Sequence, residues 1–326
     1  MAIGETRRNS GIQQRSELSG LLNIDKPSGW TSHDVVAKVR RALRIQKIGH
    51  TGTLDPIATG VLLLCVGRAT KMARFLVGLE KEYRATIMLG GESDTLDAQG
   101  QISLSNESPK VSMAEMRKVC DRFLGTQEQI PPMFSAVKHR GQPLYRLARQ
   151  GKTVARHPRP VFIRSLEICH IDLPQVILQI SCSSGTYIRV LAADIGKELG
   201  CGAYLLELKR TRLGPFRDGD ALPLARVVEL AQLEQLEQFL LPVGQGLITY
   251  PRFVVRPREV SRVIHGQPMT REIFREVDIG AKKGDAIRIE DTEGKLLAMA
   301  ELLVHTDQLT SLTFSDRICR SLQILS

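Results

Sequence analysis

The sequence predicts an α+β protein in two parts, a large mixed domain followed by a small β domain. Three observations carry this. The chain has 326 residues, more than one hydrophobic core usually serves. Helical and strand-like segments mix without the regular βαβ rhythm of a doubly wound sheet. After Pro242 the pattern changes to short strand candidates separated by glycine-containing turns. The expected boundaries are a frayed leader over 1–20, a large domain over 21–245 and a β domain over 247–326.

The elements follow in order. "LLNI" is a short apolar strand, ended by a Pro-Ser-Gly turn. Thr31 and Asp34 have capping-box spacing, so a helix follows, burying Val35, Val36, Val39 and Leu43. Residues 49–60, "GHTGTLDPIATG", read as a loop, and "VLLLCV" as a core strand. "TKMARFLVGLE" begins at a threonine cap and aligns Met72, Phe75, Leu76 and Leu79 on one helical face. "KEYRATIMLG" alternates, which makes a strand with Tyr83, Ala85, Ile87 and Leu89 on its apolar side. "GESDTLDAQG" is a polar loop or lid. Ser112 and Glu115 cap the next helix, and "PLYRLARQG" is a short one. "PVFIRSLEICH" and "QVILQISC" are strands, "GTYIRVLAADIGKELG" a helix and "AYLLELKRT" a strand. A helical pattern over 223–239 closes the large domain. "RFVVRP", "DAIRIED" and "LLAMAELLV" are the strands of the β domain.

Composition limits the function. Apolar residues make up 42% and charged residues 25%, as in ordinary folded proteins. No run reaches eighteen apolar residues, and the polar start has no apolar h-region, so neither a membrane span nor a secretion signal is expected. Six scattered cysteines without a CxxC pair fit reduced thiols in a cytoplasmic protein. The net charge is +10 and unevenly spread. From Gln129 to Leu166 no acidic residue occurs, while eight basic ones do, interleaved with Phe134, Tyr145 and Phe162. Such a one-signed surface suits phosphate contacts, against the plainer reading of a solvated basic loop. Lys38, Arg40, Arg41, Arg44 and Lys47 form a second basic cluster.

The sequence has no GxxxxGK[ST], no GxGxxG after a strand and no metal-ligand spacing, so a reaction without cofactor or metal is expected. Asp55 is the sharpest candidate. An aspartate before proline is an ordinary turn residue. Here, however, the loop feeds directly into an apolar strand, which places the carboxylate at a cleft lip. Tyr83 on its strand is equally well explained as core. Arg189, next to Tyr187 in "SSGTYIRV", sits in apolar sequence. A buried arginine wants a carboxylate, and Asp55 is a possible partner.

Six blocks stand in one order: "LLNIDKPSGWTS", "GHTGTLDPIATGVL", "KEYRATIMLG", "IPPMFSAVKHRGQPLYRLARQG", "CSSGTYIRVLAADIG" and "LGCGAYLLELKRT". In them the chain resembles the TruB-type tRNA pseudouridine-55 synthases, from Leu21 through the C-terminal part. The resemblance implies a pseudouridine synthase fold with a mixed, largely antiparallel sheet, a basic RNA-binding insertion over about 129–160 and a PUA-like C-terminal module. It makes Asp55 the catalytic carboxylate, Tyr83 the ring that stacks on the flipped base and Arg189 the partner of Asp55. Tyr187 and Leu208 become walls of the base pocket, and Lys26–Pro27 a pair near it. His50 becomes the residue that enters the RNA loop. Lys138, Arg146 and Arg149 become backbone contacts.

The implied reaction isomerises uridine-55 in the T stem-loop of tRNA. It is carried out by a monomer without guide RNA. Three pathways for the aspartate stay open: attack at C1′, addition at C6, or proton abstraction at C2′. One position departs from the family pattern. Gln99 precedes Gly100 in "DTLDAQG", where an acidic residue is common, which leaves the contacts of that loop open. The dyskerin-like relatives share the aspartate block but work with guide RNA and lack the long basic insertion. A non-catalytic RNA-binding module is the remaining alternative, and it would need no carboxylate at position 55.

Overall fold

The computed structural model describes residues 18–105, 108–313 and 315–325. The expected leader lies outside the described residues except for its last three, and these already belong to the fold. Ser19 accepts a hydrogen bond from the Ala69 amide, and Gly20 begins the first strand.

A ten-stranded sheet forms the large part. Its strands include β1 (Gly20–Lys26), β2 (Ile48–His50), β3 (Thr59–Val66) and β4 (Lys81–Leu89). A separate hairpin, β5 (Gly91–Ser93) and β6 (Ile102–Leu104), follows β4. The sheet continues in β7 (Gly125–Gln129), β8 (Arg159–Asp172), β9 (Gln175–Cys182) and β10 (Ala203–Leu213). The main path runs β1-β3-β10-β4-β9-β8-β7. Among the described residues of this sheet, only β3 with β10, and β1 with the short edge at Leu222–Pro223, pair in parallel. The expected mixed, largely antiparallel sheet is therefore present.

Helix α1 (Ser32–Leu43) has both arms of the Thr31–Asp34 capping box. All four predicted apolar positions are buried, and Lys38, Arg41, Arg44 and Lys47 face solvent. Arg40 turns inward instead, giving a hydrogen bond to the Ile48 carbonyl at 2.5 Å. The stretch expected as a helix from Thr70 is shorter and starts earlier. A 3-10 turn over Gly67–Met72 runs into α2 (Ala73–Leu76), and the Thr70 hydroxyl bonds back to the Gly67 carbonyl instead of capping. Helices α3 (Met113–Arg122), α4 (Leu144–Ala148) and α5 (Ile188–Glu198) fall where expected. The final helical stretch breaks in two. α6 (Leu224–Gln232) ends before Glu234, whose φ of 60° is left-handed, and a 3-10 turn covers Leu236–Phe239.

The second sheet contains β11 (Arg252–Val255), β12 (Phe274–Val277), β13 (Ala286–Glu290), β14 (Leu296–Leu302) and β15 (Arg317–Ile324). β12 and β15 were not singled out from the sequence. "FREV" and "RICRSLQI" carry charges at the positions that face solvent, which dilutes their apolar signal. This sheet has its own core around Phe253, Ile287, Ile289 and Ile318. A further cluster joins the two parts: Leu21, Leu63, Met72 and Val243 of the first pack with Leu296 and Met299. The second sheet thus packs on the large part through a cluster separate from the one that contains Tyr83 and Leu208.

Candidate active site

The loop that bears Asp55 is shorter than the sequence predicts. Gly49 and His50 belong to β2, and Thr59 and Gly60 begin β3, because both strands find backbone partners. What remains is 51–58, held at several points. Ser32 and Leu54 exchange hydrogen bonds through the serine hydroxyl at 2.8 and 3.2 Å. Gly60 closes the loop at φ 90°, where a Cβ would lie 2.3 Å from the Arg210 carbonyl oxygen, so only glycine fits.

Lys26, at the end of β1, is completely buried. Its ammonium donates to the carbonyls of Pro27, Trp30 and Pro56, at 2.9, 2.5 and 3.3 Å. All three of its protons are used. Lys26 therefore ties the Lys-Pro turn to the Asp55 loop, and it does not line the cavity. Burial lowers its pKa to about 8, the nearby Asp55 charge opposing part of that fall.

The Asp55 carboxyl opens into a cavity of about 230 Å³. Its side chain is 31% exposed, while that of Arg189 is 5% exposed. Arg189 stands in the first turn of α5. A cation there opposes the helix dipole, so the position calls for nearby negative charge. Two carboxylates supply it. Nη2 lies 3.4 Å from Asp55, and Nη1 lies 3.5 Å from Asp97. Nη2 also donates to the Phe134 carbonyl at 2.6 Å, linking the basic insertion to the arginine beside Asp55. The expected Asp55–Arg189 pair is thus formed, and the arginine is shared. Desolvation raises the pKa of Asp55 above the ordinary carboxylate range. Arg189 works against that rise, and the Asp97 charge adds to it.

Asp97 is the residue that sequence reasoning missed. The segment 91–100 is no lid. Leu205 of β10 exchanges backbone hydrogen bonds with Leu96 and Ala98, at 3.0 and 2.9 Å, and this turns the Asp97 side chain inward. Asp97 is 3% exposed. Its Oδ1 accepts from the Thr95 hydroxyl and the Gln99 amide, at 2.7 and 3.0 Å, leaving Oδ2 for Arg189. Gln99 contributes its backbone N–H, not its side chain. This explains why the departure from the family pattern leaves the loop intact. At Gly100 a Cβ would lie 2.1 Å from Asp94 Oδ1, so any larger residue would have to displace the side chains that close this return.

Tyr83 lies on the buried face of β4, as its alternation predicts, and lines the cavity with Tyr187 and Leu208. Gln129 pins the backbone of Tyr187 by accepting from its amide and donating to its carbonyl, at 2.9 and 3.3 Å. Lys81 and Arg210 complete the wall, and both are buried. Lys81 donates to the Val77 and Leu79 carbonyls at 3.0 and 2.6 Å, and burial lowers its pKa to about 8. The alternation Leu208, Arg210 on β10 was available in the sequence as a sign that Arg210 points inward.

The cavity does not gather every expected residue. His50 and Pro27 lie outside its wall. His50 is half-buried with an unpartnered Nδ1, and desolvation lowers its pKa, with Arg210 adding to that effect. Lys138, Arg146 and Arg149 belong to the insertion, Arg149 lying over the Tyr145 ring at 5.7 Å. Replacing these three together with alanine is expected to leave the melting temperature unchanged. It should weaken tRNA binding and reduce the salt slope by up to about one unit for each phosphate interaction removed. Binding titrations at several salt concentrations measure this, and an unchanged slope would make the segment an inert surface.

One carboxylate open to a cavity on a largely antiparallel sheet, held by a buried arginine that a second, buried carboxylate shares, is the arrangement of a pseudouridylate synthase. Profile comparison agrees. Residues 40–188 match the TruB family pseudouridylate synthase N-terminal domain, and residues 189–248 the tRNA pseudouridylate synthase B C-terminal domain. The tRNA pseudouridine synthase B of Geobacter sulfurreducens is 43% identical over 299 residues, 92% of this chain and 96% of that protein. That of Syntrophotalea carbinolica is 40% identical over 87% of this chain and 92% of its own length. Among solved structures, a Cbf5–Nop10–Gar1 complex aligns with TM-score 0.79 at 27% identity. It covers 97% of this chain and 87% of that one. The archaeal box H/ACA sRNP Nop10–Cbf5 complex aligns with TM-score 0.75, also at 27% identity, over 97% and 88%. The chain belongs to the TruB family of pseudouridylate synthases.

Proposed function

We propose that the protein converts uridine-55 to pseudouridine in the T loop of tRNA, acting directly on the tRNA without a guide RNA. The observation that carries this reading is the Asp55 carboxylate. It is open to the cavity and oriented by Arg189, in a chain that matches tRNA pseudouridine synthases along most of its length. The reaction breaks the N1–C1′ bond and forms C5–C1′. It releases the C5 proton to water, and N1 gains one. Nothing is oxidised, and no group is transferred to another molecule.

The target base must leave its RNA loop before Asp55 can reach it. Tyr83 and Leu208 offer the uracil flat and apolar surfaces, and the insertion offers positive charge for the backbone. Arg189 keeps the carboxylate aimed and opposes its protonation. The Tyr83 oxygen accepts the C5 proton as the phenol's own proton passes to water.

Release of tritium from tRNA labelled at uridine C5 tests the reading directly. The parent protein is expected to release tritium stoichiometrically with pseudouridine at position 55. Tight tRNA binding without release would make the chain a binding module. Tyr83→Phe is expected to keep stability and tRNA affinity but turn over about 10²–10⁴-fold more slowly, as for a lost acid–base group. A single-turnover rate near the parent's would reduce the ring to a stacking surface.

A further inference from the structure

Arg210 is a buried cation whose charge the chemistry above does not use. It stands on β10 directly opposite Tyr83 of β4. Opposite residues of an antiparallel pair share a face, with Cβ atoms about 4.5–5.5 Å apart. Arg210 is only 1% exposed. Nε donates to the Val61 carbonyl at 2.7 Å, and Nη2 to the Gly52 carbonyl at 3.1 Å. Nη1 is buried, has no partner, and belongs to a side chain that lines the cavity with Asp55 and Tyr83. Its surroundings hold further bases. Its charge helps to lower the pKa of Lys26, Lys81 and His50. Burying a guanidinium among bases is costly, and its two carbonyl contacts leave Nη1 unused.

We propose that Arg210 is a positioning residue for Tyr83, its Nη1, which has no other partner, reaching the phenol oxygen during the reaction and stabilising negative charge on it as the uracil C5 proton is transferred. The inference rests on the reading that Tyr83 takes that proton. In the step concerned, uracil is already joined to C1′ through C5. The C5–H bond breaks, and its electron pair becomes the C5=C6 bond. The C6=N1 pair moves onto N1, which takes a proton from water. The C5 proton goes to the Tyr83 oxygen, whose own proton leaves to water. Burial pushes the phenol pKa up, with Asp55 and Cys182 adding to the rise, and Arg210 pulls it down. The guanidinium is therefore the cation placed to ease this step.

A double-mutant cycle of Arg210→Lys and Tyr83→Phe tests the coupling. The assay is single turnover with saturating enzyme, on tRNA carrying hydrogen or deuterium at uridine C5. Arg210→Lys keeps the charge but cannot bond Val61, Gly52 and the phenol in the same geometry. It is expected to slow turnover about 10²-fold, the scale of losing one preorganised donor. It should also enlarge the C5 isotope effect with tRNA affinity unchanged. In the Tyr83→Phe background the same change should cost no more than about twofold, the usual limit of additivity error. Arg210→Gln serves as a second variant, and thermal unfolding of each shows whether the fold persists. A parental rate for Arg210→Lys overturns the proposal alone. So do an equal loss in both backgrounds and an unchanged isotope effect, each of which marks a merely structural arginine. A parental rate for Tyr83→Phe overturns the proton role of Tyr83, and this inference with it.

Discussion

Asp55→Asn is expected to form no measurable pseudouridine while binding tRNA and melting no lower than the parent. The loss in turnover should be about 10⁴-fold or more, beyond what a displaced donor would cost. The stability expectation follows from the environment of the carboxyl. Its folded pKa lies above the ordinary value, because desolvation outweighs the help of Arg189. A carboxyl of this kind favours the folded state when protonated. That contribution is lost as pH rises through the raised folded pKa. Above that pKa the ionised group therefore weakens the fold, and an uncharged isostere removes that cost. Arg189 keeps Asp97 and the Phe134 carbonyl as partners in the variant. Paired thermal unfolding and tritium release at neutral pH check both halves. Detectable turnover by pure Asp55→Asn would remove Asp55 as the reacting group. A large drop in melting temperature would show instead that its charge is structural.

The same carboxylate is expected to set the acid side of the pH profile. With its pKa raised, activity is expected to fall with decreasing pH before the ordinary carboxylate range is reached. The acid limb of kcat/KM for tRNA measures the free enzyme's value.

How far the sequence led is instructive at particular residues. The period-2 alternation of β4 placed Tyr83 inward without ambiguity, since β4 is buried mainly on one face. The capping box of α1 and the buried face of α5 were equally legible, because caps and helical periodicity are local. Asp55 stood out through an apolar strand immediately after its loop. The failures were of another kind. The polar composition of 91–100 suits solvent, and only the pairing of Leu96 and Ala98 with Leu205, over a hundred residues away, turns Asp97 inward. Lys26 was visible as a lysine beside a motif. Its burial depends on three carbonyls, one of them from the Asp55 loop thirty positions on. Non-local pairing decided each of these, and no local pattern encodes it.

Asp97→Asn tests the arginine that both carboxylates share. The asparagine side chain can still accept from Thr95 and the Gln99 amide through its oxygen, so the turn should persist. Its amide group then faces Nη1 of Arg189, donor against donor, where an ion pair of two side chains about 5% exposed had been. Removing one partner of a buried pair costs about 3–5 kcal/mol when the other stays buried, and the surviving Asp55 interaction should reduce that. A fall of roughly 2–3 kcal/mol in unfolding free energy is therefore expected. Turnover should drop about 10²-fold, because Arg189 is then held from one side only and Asp55 loses a fixed reference. The pH profile separates this account from simple misfolding. Asp97 raises the pKa of Asp55 through like charge, so its neutralisation should move the acid limb of kcat/KM to lower pH. A disturbed fold that merely exposes Asp55 to water would also lower that pKa, but it would abolish the tight dependence on Arg189. Adding Arg189→Lys to Asp97→Asn distinguishes the two. If the second change still costs at least about tenfold, the arginine continues to orient Asp55 in the single variant. An unshifted acid limb with parental stability would show that Asp97 and Arg189 do not act as a unit.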